Sequence, residues 1–149
     1  MKPMSSQLTR EFWRYLQDQV ELHEQAYCQT IHDHAYRDEM RAAAETYGWL
    51  AKEFSIIFPT AVSGAGKIED VLTAEGTSEF LNLLDQKIQH FTFAQEQTQH
   101  KKQEALAQAP GWEYYHVRRI YNEMGNLLER ESTAYRDSRE RFLSILEKR

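Results

Sequence analysis

The chain has 149 residues, of which 41% are hydrophobic and 12% aromatic, which is enough to bury the core of one domain. Its formal net charge is −5, which excludes a uniformly basic surface of the kind that follows a nucleic-acid backbone. The single cysteine, Cys28, cannot form a disulfide within the chain.

The amino-terminal residues and the hydropathy of the chain favour a cytoplasmic location. Residues 1–7 lead into a charged stretch without the apolar run of a secretory signal. No apolar stretch reaches the ~20 residues that a membrane-spanning helix needs. Together with the lone cysteine, these features lead us to expect a protein of a reducing compartment.

Three long stretches of helical periodicity, at residues 9–57, 77–109 and 111–148, predict an all-α fold. At ~1.5 Å per residue, helices of this length are roughly 50–70 Å long, and such helices normally pack lengthwise. We therefore expect a single domain over residues 1–149, built as an elongated antiparallel bundle of three long helices.

The first stretch, residues 9–57, carries apolar or semi-polar side chains at three- and four-residue steps: Phe12, Leu16, Val20, His23, Tyr27, Ile31, His34 and Ala35. This spacing predicts one continuous helix with one buried face. Pro59 ends it, because proline cannot continue a helix.

The connection at residues 59–76 is rich in glycine and contains a short apolar piece, 68–72, that predicts a short extra helical turn. Residues 61–67 partly match a phosphate-binding loop, in which glycines let backbone amides approach a phosphate. Ala61 replaces the first glycine of that motif, and Ile68 replaces the hydroxyl residue that binds Mg²⁺. We interpret the segment as a flexible connector.

The second and third stretches are joined by Pro110 and Gly111, and so short a link predicts antiparallel packing. Residues 95–103 are mostly Gln, His and Lys, which indicates weak packing there unless another chain covers them. In the third stretch an aromatic or leucine recurs every seven residues, as in a coiled coil, at Tyr121, Leu128, Tyr135 and Phe142. A second row beside it, Val117, Met124 and Ile145, has the same seven-residue spacing, and Glu131 and Ser138 occupy positions in this row where apolar side chains are expected.

Two pairs of residues are candidate metal ligands. Glu113 and His116 have the Glu-x-x-His spacing that occurs in carboxylate-bridged di-iron bundles. His34 and Asp38, one helical turn apart, would supply a second pair. The alternative interpretation is that these are ordinary polar residues near helix ends and bundle seams.

Aromatic residues lie near the predicted helix ends, at Trp49, Trp112, Tyr114 and Tyr115. Exposed aromatic clusters often mark protein contacts, whereas buried ones fill the splayed ends of a bundle, and the sequence leaves both interpretations open. Residues 112–149 carry 8 Lys or Arg against 7 Asp or Glu, with acids and bases interleaved, which is typical of a solvated, ion-paired helix face.

The sequence therefore favours a non-catalytic interaction or scaffold bundle that associates with another protein or with itself, as a homodimer. We expect no cofactor, no nucleic-acid partner and no small-molecule ligand. One alternative is a helical metal protein that uses His34, Asp38, Glu113 and His116. A second alternative is a protein that binds a membrane surface or nucleic acid through its basic carboxy-terminal helix.

Overall fold

A computed structural model describes residues 6–59 and 74–148 of the chain. The regular structure of these residues consists of four helices, and no strand occurs among them: α1 (Ser6–Gln29), α2 (His34–Ile57), α3 (Ala74–Gln108) and α4 (Tyr114–Glu147). The predicted all-α fold is confirmed. The helical turn predicted at 68–72 and the glycine-rich loop at 61–67 lie outside the described residues.

The single helix predicted over residues 9–57 is two helices, α1 and α2, so the prediction of one continuous helix is wrong. The chain leaves helical geometry after Gln29 and starts again at His34. Asp33 adopts an extended conformation (φ −108°, ψ 94°), and its carboxylate accepts a hydrogen bond from the Tyr36 amide at 3.0 Å. Asp33 is thus a side-chain N-cap, which favours a new helix start at this point.

Where all four helices meet, the core is a layer of phenylalanines, one from each helix: Phe12, Phe54, Phe80 and Phe142. All four are fully buried. Phe12 lies 5.0 Å from Phe54, 5.6 Å from Phe80 and 5.1 Å from Phe142, measured between ring centroids. Tilted and edge-to-face aromatic pairs at this spacing each add roughly 0.5–1.5 kcal/mol beyond the area they bury. This layer holds the ends of all four helices together.

The long helices α3 and α4 run antiparallel, as predicted from the Pro110–Gly111 link. Arg139 donates to Asp85 at 2.6 Å, and further along the pair Gln95 donates to Glu129. Helices α2 and α4 run parallel, since Glu39 pairs with Arg130 and Phe54 packs against Phe142. None of the four helices carries a run that is long and apolar enough to cross a membrane.

Candidate interaction surfaces

The first candidate surface is the part of α3 and α4 nearest the turn that joins them. It comprises residues 95–129, and we call it the arm. Its base is marked by the hydrogen bond between Gln95 and Glu129. Not one residue from 85 to 131 is buried, although both helices have buried residues closer to the phenylalanine layer. Because none of its residues is buried, the arm has no closed core of its own.

The arm exposes five large hydrophobic or aromatic side chains: Trp112, Tyr114, Tyr115, Ile120 and Met124. Trp112 is 81% exposed and Tyr115 is 77% exposed. Gly125, in the same part of α4, has open space beside it, because a methyl group added there would meet no other part of the described chain within 4 Å. These residues form a hydrophobic surface that the described part of the chain does not cover.

Trp49, the fourth predicted aromatic, does not join this surface. It lies on α2, half-buried, with its ring edge-to-face on Tyr135 at 6.1 Å. The Lys87 ammonium sits 4.6 Å from the centre of the Trp49 ring. The structure therefore places Trp112, Tyr114 and Tyr115 together at the turn and gives Trp49 a packing role against α3 and α4.

The basic residues along α4 and at its end differ in their partners. Arg130, Arg139 and Lys148 lie within 3.0 Å of carboxylate oxygens of Glu39, Asp85 and Glu11, respectively. Arg118 and Arg119, on the arm, form no ion pair with any residue that the structure describes. Arg119 Nη2 lies 3.4 Å from His116 Nδ1. The arm therefore presents two guanidinium groups that have no carboxylate partner in the described chain.

A cleft of about 480 Å³ between α1 and α2 is the second candidate surface. Val20 and Tyr27 of α1 and the small residues Ala44 and Gly48 of α2 line it. Glu24, Arg41 and Glu45 are the charged residues of its lining, and Cys28 lies in its wall with its side chain exposed. Sequence reasoning missed this cleft.

Gly48 gives the cleft its depth. A methyl group added at Gly48 would meet no other part of the described chain within 4 Å. Glycine in a helix interior costs roughly 0.8–1 kcal/mol relative to alanine, and a close approach of two elements normally accounts for such a glycine. Nothing in the described chain approaches Gly48. The available sequence signal was the pair Ala44 and Gly48, two small residues one helical turn apart on the same face.

Glu131 lies immediately beyond the arm. Burial raises the pKa of its carboxyl group above the ordinary value, the neighbouring Glu45 carboxylate raises it further, and His90 partly offsets both. Ser138, the other polar residue in the row expected to be apolar, is fully buried.

The four candidate metal ligands lie in two separate places. His34 and Asp38 are exposed in the first turns of α2, where the Asp38 carboxylate lies 3.9 Å from Arg41. The α2–α4 register that pairs Glu39 with Arg130 and Trp49 with Tyr135 places His34 beside residues 120–125 of α4. His116 is then roughly 6–14 Å further along the helix axis. Within the described chain, no group of three or more His, Cys, Asp or Glu side chains is placed to hold a metal ion, so these pairs do not form one site.

Comparison with known proteins adds no assignment: no family model, no curated protein and no solved structure matches this chain.

Proposed function

We propose that this protein is a non-catalytic interaction module that associates with another copy of itself through the arm. The exposed hydrophobic surface of the arm carries this proposal. Exposed apolar surface costs roughly 25 cal/mol per Å² relative to burial, so five large side chains on one hairpin favour association. Aromatic residues, methionine and arginine are also the residue types enriched in protein interfaces.

The polar composition of α3 within the arm agrees with this role. Residues 95–104 contain no large hydrophobic side chain, so α3 gives the arm little hydrophobic cohesion. A second chain that covers Ile120 and Met124 would supply it. A coiled-coil arrangement of α3 and α4 is part of the same proposal, since Tyr121 and Leu128 of the seven-residue row are half-buried in the arm.

We further propose that the protein works in a reducing compartment such as the cytoplasm. Cys28 is exposed as a free thiol, and an exposed thiol in an oxidising compartment is open to disulfide exchange between chains.

Sedimentation equilibrium over a range of concentrations tests the proposal. We expect the average mass of the native chain to rise from one copy towards two. The triple variant Trp112→Ser, Tyr115→Ser, Met124→Ser should weaken association at least roughly tenfold, because it removes more than the ~1.4 kcal/mol that a tenfold change requires. Its helical circular dichroism should not change, since these side chains are exposed.

The matched control is Ile56→Ser, which removes an exposed hydrophobic side chain of α2 outside the arm. It should associate like the native chain. A native chain that keeps the mass of one copy up to high micromolar concentration would contradict self-association.

A further inference from the structure

We propose that the cleft between α1 and α2 is the receptor for the arm: the first turns of α4 from one copy dock against Ala44 and Gly48 of a second copy. This inference rests on the proposed self-association and names the surface that receives the arm. It joins the two candidate surfaces described above.

The shape of the cleft suits a helix. It is bounded by two antiparallel helices, and its floor is formed where Ala44 and Gly48 leave room between them. An amphipathic helix that lays its apolar face into such a groove is a common mode of protein recognition. Small residues at the contact let two helix backbones approach closely, which accounts for a glycine in the middle of α2.

Tyr27, in the lining of the cleft, is held by a contact near the α1–α2 turn. The Arg37 guanidinium lies over the Tyr27 ring at 4.4 Å, and its Nε donates to the Tyr27 carbonyl oxygen at 3.3 Å. This contact fixes the wall that Tyr27 contributes. At least this wall of the cleft is therefore positioned by contacts within the chain.

The cleft and the first turns of α4 carry charges of opposite sign. The cleft lining contains two acids, Glu24 and Glu45, and one base, Arg41. Arg41, the basic residue of the cleft lining, lies 4.0 Å from Glu45, which partly neutralises it. Arg118 and Arg119 lie in the first turns of α4, with Glu113 and Glu123 flanking them in sequence, and neither arginine forms an ion pair with a residue that the structure describes. Complementary charges of this kind steer association and fix its orientation.

The apolar side chains of the arm match the apolar lining of the cleft. Ile120 and Met124 lie one turn apart on α4, so they share a face and can enter the groove together, beside the two arginines. Each copy has one arm and one cleft. Two copies related by a twofold axis therefore satisfy both, which gives a closed dimer without unlimited growth.

Cys28 provides a direct test in the native chain, because it is the one cysteine of the sequence and lies in the cleft wall. We expect the rate of maleimide modification at Cys28 to fall as the chain is concentrated into its associated form. A control chain with Cys28→Ala and Ser144→Cys carries its thiol on the exposed part of α4 away from the arm. Its rate should not depend on concentration.

A mixing experiment separates this inference from self-association in general. Gly48→Leu fills the cleft of one chain but keeps its arm, and the double variant Arg118→Glu, Arg119→Glu disables the arm but keeps the cleft. We expect each variant alone to lose association at least tenfold and an equimolar mixture to form a one-to-one pair. That pair has one contact in place of two, so it forms at higher concentration than the native dimer. Arg136→Glu, an exposed arginine of α4 outside the arm, is the control and should associate normally.

The outcomes distinguish the two proposals. Native-like association of Gly48→Leu, or unchanged Cys28 reactivity in the dimer, would overturn the cleft as receptor while self-association through the arm stands. A mixture that stays monomeric when both variants are folded would also overturn it. A native chain that never associates would overturn both proposals.

Discussion

Residue 131 is a glutamate at a position where the apolar pattern of α4 calls for an uncharged side chain. Its carboxylate is partly buried near Glu45, and both effects raise its pKa. An acid whose pKa is higher in the folded state than in the unfolded state makes the fold less stable as the pH rises through the folded-state value. The fold regains that stability as the pH falls.

We therefore expect Glu131→Gln to raise the melting temperature at neutral pH, because the neutral amide removes the cost of the buried charge. The gain should shrink below about pH 4, where a free glutamate is itself protonated. Thermal unfolding followed by circular dichroism at the two pH values measures the difference. Glu123→Gln, an exposed acid on the same helix, is the control. An equal effect of Glu131→Gln at both pH values would show that burial of its charge is not the cause.

Single residues also explain what sequence reasoning missed in the candidate surfaces. Trp112, Tyr114 and Tyr115 were found from composition and position alone, because they lie beside a turn that Pro110 and Gly111 define. The sequence marked Gly48 only as a possible bend in the first helix, and its part in a cleft was not recognised. Glycine has no side chain and so adds nothing to an apolar periodicity. Whether it lines a cleft depends on which faces of α1 and α2 pack together, and that is a property of the tertiary structure.

At the scale of the helix, the ends of α3 and α4 were predicted within three residues, since the predicted ranges 77–109 and 111–148 became Ala74–Gln108 and Tyr114–Glu147. Pro and Gly mark the break between them. The break between α1 and α2 has neither residue, and the apolar spacing continues through it from Tyr27 to Ala35. Thr30 and Ile31, both β-branched, and Asp33, a favourable cap, were the remaining signals.

The Asp33 cap has a measurable contribution. Replacing it with alanine leaves the Tyr36 amide without its 3.0 Å acceptor and should lower the free energy of unfolding by about 1 kcal/mol. Asp33→Asn should retain most of the stability, because asparagine caps a helix about as well as aspartate. Urea unfolding gives both values. If the alanine variant unfolds like the asparagine variant, the hydrogen bond does not set the start of α2.

At the scale of the molecule, the helices have a buried core at one end of the bundle and none in the arm. Around Phe12 and Phe54 four helices meet, and their side chains are fully buried. Along the arm, no residue of α3 or α4 is buried. The same helix, α4, passes through both environments. Differences in local stability along α4 therefore reflect tertiary packing more than helix propensity.

Hydrogen exchange along α4 tests both the difference in packing between its two parts and the proposed self-association through the arm. In dilute solution, amides of residues 114–128 should exchange roughly tenfold or more faster than those of residues 134–146, since few buried contacts oppose local opening in the arm. At concentrations where the chain associates, exchange in the arm should slow, and exchange near Phe142 should stay the same. The Trp112, Tyr115, Met124 serine variant should keep the fast arm at every concentration. Uniform exchange along α4 in dilute solution would mean that the arm is stable without a partner, and its exposed hydrophobic surface would then need another explanation.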